Sequence, residues 1–145
     1  MRSTNEKWAA LVPELSVSNI EHSLRFWCNT LGFTILYERR EEFFAYLELG
    51  DAQIMLEQRN PEDNLWETAK LEKPYGRGIN FQLEVDTVQS ILTRLEQENH
   101  PLFIPLEERW YGAGELEFGQ KQFLVQDPDG YLVRLIENIG ERKRE

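Results

Sequence analysis

The stretch Leu15-Ser16-Val17-Ser18-Asn19-Ile20 returns in altered form as Leu83-Glu84-Val85-Asp86-Thr87-Val88, a constant 68 residues further along the chain. Apolar residues hold the first, third and sixth places of both copies, so each reads as a strand end running into a helix start. The offset implies a duplicated module. After the first copy, Ser18 and Glu21 are spaced as a capping box, and Ile20, Leu24, Trp27 and Leu31 form one helical stripe closed by Gly32. After the second, Asp86 with Gln89 makes a similar start. Val88, Ile91, Leu92 and Leu95 then form the stripe, and Asn99-His100-Pro101 ends it.

Strand signals follow each helix. In the first half they are Thr34 to Arg39, Phe44 to Leu49, a Gly50-Asp51 turn and Gln53 to Glu57. In the second they are Leu102 to Pro105, Gln122 to Val125, the turn Asp127-Pro128-Asp129-Gly130 and Tyr131 to Ile136. Each half therefore reads β-α-β-β-β, and the fold class is α+β. Module one spans about 10–60, a connection rich in Pro, Gly and charge about 61–77, module two about 78–138, and a charged tail 139–145.

Composition narrows the function classes. At 145 residues the chain can bury about 70% of its unfolded surface and needs no disulfide or metal staple. One cysteine, Cys28, cannot form an internal bridge and reads as packing; with no leader and no long apolar run, the expectation is a cytoplasmic protein with no membrane partner. A net charge of −10 argues against nucleic acid, so Arg39-Arg40 and Arg142-Lys143-Arg144 read as solvated ends. The same charge is compatible with a cationic ligand.

Period-two alternation assigns faces. In Ile79 to Val85 every odd position is apolar and every even one polar, so one side packs on a helix and the other stays open. The open face collects Val12, Glu14, Ser16, Gln53, Met55 and Glu57 in module one, and Asn80, Gln82, Glu84 and Arg134 in module two. Such a face is either plain solvent surface or, if the sheets curl toward each other, the lining of a cleft. Arg134 is the odd member, a cation inside Tyr131-Leu132-Val133-Arg134-Leu135-Ile136 that can pair with Glu57 or Glu84 or donate to a ligand's oxygens.

Val17-Ser18-Asn19-Ile20-Glu21-His22-Ser23-Leu24-Arg25-Phe26-Trp27 with Leu31-Gly32-Phe33, and Phe123-Leu124-Val125 leading into Asp127-Pro128-Asp129-Gly130-Tyr131, resemble the vicinal-oxygen-chelate superfamily of glyoxalases, bleomycin resistance proteins and dioxygenases. The resemblance covers about residues 10–138. It implies two paired βαβββ modules forming a cupped mixed sheet with helices on the outer face, completed by a homodimer. It also implies four metal-ligand positions, which fall here at Val12, Met55, Asn80 and Arg134. None of these suits a hard divalent ion, since they offer no lone pair, a soft thioether, a weak amide oxygen and a cation.

Within the superfamily the pattern is most similar to the bleomycin resistance proteins. That branch implies capture of a flat, cationic drug such as bleomycin by a homodimer, with no catalytic residue and no cofactor. The expected ligand-binding residues are Phe44, Tyr46, Met55, Glu57, Trp66, Asn80, Gln82, Trp110, Tyr111 and Arg134, with Trp66, Tyr75, Trp110 and Tyr111 placed in loops. Phe33 and Phe44 read more readily as core than as ligand contacts. Trp110-Tyr111 can cover either a ligand or a partner subunit. The alternative is a glyoxalase- or dioxygenase-like metalloenzyme with an oxygen-only site at Glu14, Glu57 and Glu84. His22 and His100 read as exposed helix residues, not as ligands.

Overall fold

Strand β1 (Glu14–Val17) pairs in parallel with β4 (Ala52–Gln58), which continues antiparallel to β3 (Phe44–Leu49) and then β2 (Thr34–Arg39). The second sheet repeats this plan: β5 (Asn80–Glu84) runs parallel to β8 (Leu132–Lys143), followed by antiparallel β7 (Leu116–Gln126) and β6 (Ile104–Ala113). The chain is thus two βαβββ modules, each with a four-stranded mixed sheet in the same order. This computed structural model describes residues 8–63 and 66–145, and the chain divides into two compact units between Tyr75 and Gly76.

The first helix departs from its expected form. Its cap is Asn19, whose Oδ1 accepts from the His22 amide at 3.0 Å; Ser18 does not fill that role. An α-turn over Ile20–Leu24 then widens into a π-helical turn, Arg25–Thr30, closed by Leu31 N–H donating to the Phe26 carbonyl at 3.0 Å. Five-residue spacing rotates the later side chains relative to an α-helix. Phe26 joins Trp27 and Leu31 in the core, and Trp27 meets Phe26 and Phe33 edge-on with centroids 5.7 and 5.5 Å away. Burial pushes the nearby Cys28 thiol up to about 11, and the Glu38 charge adds to the shift.

Helix α2 (Gln89–Gln97) buries Ile91 and Leu95, with Val88 buried at its entry, as the stripe predicts. Its start is held from the sheet: the Val88 amide donates to Glu137 Oε1 at 3.0 Å, and Thr87 Oγ1 accepts from the Gln89 amide at 3.3 Å. Asn99, at φ 55°, ends it, and the His100 amide bonds the Leu95 carbonyl. His100 is half-buried, with Nε2 2.8 Å from the Gln126 carbonyl, unlike the exposed residue expected; His22 is exposed.

Two further expectations are corrected in module two. Most of the charged segment 139–145 is not a tail, because β8 runs through Lys143 and pairs Lys143 with Leu116. The strand expected at Leu102 to Pro105 extends to Ala113, so Trp110 and Tyr111 are strand residues, not loop residues. Glu107-Glu108-Arg109 made that segment look like a loop, but a sheet-edge strand has one ladder facing solvent and tolerates charge and Pro105. In the Asp127–Gly130 turn the two aspartates are buried while Pro128 is exposed, and Asp127 Oδ1 accepts from the amides of Asp129 and Tyr131, both at 2.9 Å.

Candidate functional site

Register fixes which side chains share the open face of module one. Glu14, Met55, Tyr46 and Tyr37 form one row across the sheet, and Ser16, Glu57, Phe44 and Arg39 the next. The expected ring contacts Phe44 and Tyr46 are on this face but covered, exposing only 3% and 6% of their surface. Tyr37 stacks on Tyr46 at 5.3 Å, and Trp8 stands edge-on to Tyr46 at 5.0 Å. The Arg39 guanidinium sits 3.9 Å over the Phe44 ring while its Nε pairs with Glu42. Gln53, buried beneath, accepts from the Ala9 amide and the Tyr46 hydroxyl and donates to Glu48.

At the other edge of the same face lies a cavity of about 520 Å³. Six carboxylates line it, from Glu14, Glu41, Glu42, Glu57, Asp63 and Glu67, and Arg59 is the single cation among the lining residues. The Glu14 carboxyl is held above the usual carboxylate range, first by partial desolvation and then by the Glu57 charge, with Arg39 opposing the shift. Two aromatic rings, Trp66 and Phe43, stand in its wall and are 91% and 52% exposed. Of the expected ligand residues, the structure therefore brings Glu57 and Trp66 together at one pocket and leaves Phe44 and Tyr46 under other side chains.

Trp66 is placed there by the connection between the modules. Arg59, just past β4, donates from Nε and Nη2 to the two Glu67 oxygens at 3.1 and 2.8 Å. A bidentate guanidinium–carboxylate pair fixes direction as well as distance. The pair lowers the Glu67 pKa and raises that of Arg59, to which Tyr75 also contributes. Tyr75 itself is buried, not displayed.

The open face of module two has a different chemistry. Gln82 lies beside Arg134 and Asn80 beside Leu132 in the parallel ladder, and Asn80 and Gln82 are exposed. The Arg134 Nε is buried and has no hydrogen-bond partner among the described residues, and the expected pairing with a glutamate is not formed within its module. Tyr111 shares this face with Glu107 and with Phe118, which the sequence reading missed; its hydroxyl donates to Gln122 Oε1 at 3.0 Å. Trp110 points to the opposite side. Its indole covers Gly119, where a Cβ would come within 2.6 Å of the ring, and Arg142 lies 3.9 Å over it.

The metal positions fail a chemical test. Val12 precedes β1, Met55 sits opposite Glu14, Asn80 opens β5, and Arg134 carries its buried, unpaired Nε on β8. These donors do not fit a hard divalent ion. Of the oxygen-only alternative, Glu14 and Glu57 line the module-one cavity and Glu84 lies on β5 of module two; among the described residues no group of three His, Cys, Asp or Glu side chains is placed to hold a metal.

Two βαβββ modules with polar open faces define the class of α+β proteins to which known relatives can be compared. The profile described as Glyoxalase/Bleomycin resistance protein/Dioxygenase superfamily matches residues 9–135, and the chain belongs to that superfamily. It is similar to proteins named bleomycin resistance protein from Geobacillus stearothermophilus and Staphylococcus aureus, each 25% identical over 138 residues that span 88% of this chain and 96% of theirs. A protein of unknown function from Agrobacterium tumefaciens superposes with a TM-score of 0.67 at 24% identity, covering 92% of this chain and 97% of its own. A virulence protein from Salmonella typhimurium gives 0.64 at 20% identity, covering 92% and 99%. No helix among the described residues is long and apolar enough to cross a membrane.

Proposed function

We propose that this chain is a small-molecule binding protein that sequesters a flat, cationic compound of the bleomycin type, working as a cytoplasmic homodimer without a metal cofactor. The observation that carries the reading is the acidic cavity of module one, where carboxylates surround two exposed rings. Carboxylates concentrate cations, and a desolvated cation gains further from an aromatic face. Relatives named bleomycin resistance protein support the drug class.

Calorimetric titration with metal-free and with copper-loaded bleomycin tests it. Saturable heat is expected; no heat down to a dissociation constant of about 100 μM, near −5.5 kcal/mol, removes bleomycin as the ligand. Light scattering on the purified protein, expected to give twice the 17.2 kDa chain mass, tests the dimer.

A further inference from the structure

We infer that Phe43 is the ring that makes the acidic pocket of module one select planar cations over other cations, an inference that rests on the pocket being a cation site.

Phe43 follows the short helical turn Arg40–Glu42 with φ 53° and ψ 46°, in the left-handed region. A residue with a Cβ is strained there, and a bulky one is seldom tolerated. The backbone is pinned on both sides: its amide donates to the Arg40 carbonyl at 3.1 Å, and its carbonyl accepts from the Gln58 amide at 2.9 Å. Glycine would make both bonds without strain, so the turn does not require a phenyl ring.

Burial does not explain the ring either. Phe43 is 52% exposed, whereas Phe44 beside it is 3% exposed and belongs to the covered face. Phe43 lines the acidic cavity with Glu14 and Glu57 and also a second cavity of about 400 Å³ lined by Leu24 and Phe44, so it stands between the two. A strained, exposed apolar residue on a pocket wall is the kind of outlier that accompanies a binding role. A phenyl side chain has no conventional hydrogen-bond donor or acceptor. What it adds to a ring of carboxylates is a face, which rewards a ligand that is both flat and positive. The carboxylates set the charge, and Phe43 sets the shape.

Proflavine, a planar cation, and spermidine, a flexible one, separate these roles when titrated against wild type, Phe43→Gly, Phe43→Tyr and Glu57→Gln. Expected are binding of both compounds by wild type and about tenfold weaker proflavine binding with unchanged spermidine binding in Phe43→Gly. Phe43→Tyr should recover the proflavine affinity, and Glu57→Gln should weaken both compounds. The thermal midpoint of Phe43→Gly should stay within about 3 °C of wild type, since relief of strain offsets the freer unfolded chain. If Phe43→Gly binds proflavine within twofold of wild type while Glu57→Gln does not, the inference fails and the cation pocket stands. Equal losses of proflavine and spermidine in Phe43→Gly also overturn it. If wild type binds neither compound, the pocket reading itself fails.

Discussion

The two modules share a strand order and a helix position, yet their open faces carry opposite chemistry. Module one presents Glu14 and Glu57 at a pocket that contains two exposed rings; module two presents Asn80, Gln82 and Arg134, whose buried Nε has no hydrogen-bond partner among the described residues. On the helix side the same comparison shows agreement: Leu15 and Val17 are buried in β1, as Leu83 is in β5. Packing dictates one face of each sheet and leaves the other free to take on a ligand's chemistry.

The turns differ most in energy. The β3–β4 turn at Gly50-Asp51 is exposed, while the matching β7–β8 turn is built on buried Asp127. Asp127→Ala strands two amides and is expected to cost about 2 to 4 kcal/mol. Asp51→Ala should stay within about 0.5 kcal/mol. Urea denaturation of both variants measures the contrast, and equal losses would break it.

Charge gives the next effect. Glu57→Lys should abolish detectable cation binding in the titrations above, whereas Arg134→Gln should leave it within about twofold and raise stability by up to about 1 kcal/mol, because the buried Nε loses nothing it was bonded to. Glu14 adds a pH signature. Its raised pKa means that cation binding, which favours the ionised carboxylate, weakens as pH falls through that raised value, and Glu14→Gln should flatten the pH dependence.

A smaller effect is expected at Arg59–Glu67. The Glu67 pKa is lowered on folding, so its contribution to stability is present above the unfolded carboxylate pKa and is lost as pH falls through the folded value. Thermal midpoints of Glu67→Gln and wild type should therefore converge in acid and separate at neutral pH.

The duplication, the stripe of α2 and the helix-side faces of β1, β4, β5 and β8 were legible in the sequence because each shows as a regular spacing of apolar residues, whereas the π-helical turn that brings Phe26 into the core was not. Charge hid the rest of the strands: β6 and the end of β8 alternate, but Glu107-Glu108-Arg109 and Glu141-Arg142-Lys143 lie where edge and terminal strands meet water. Trp110 and Tyr111, expected side by side in a loop, lie on β6 and so point to opposite faces. The pocket was only half legible. Glu57 and Trp66 could be named, but Trp66 is positioned by Arg59–Glu67, Phe44 is covered by Arg39, and Phe43 is set apart by a backbone angle. None of these leaves a mark in residue spacing.

Cys28 has a practical consequence. With its thiol pushed up to about 11, roughly one molecule in ten thousand carries the reactive thiolate at pH 7. The natural chain is therefore nearly silent toward thiol-directed labels, and a cysteine introduced at the pocket rim would report from there against an almost blank background.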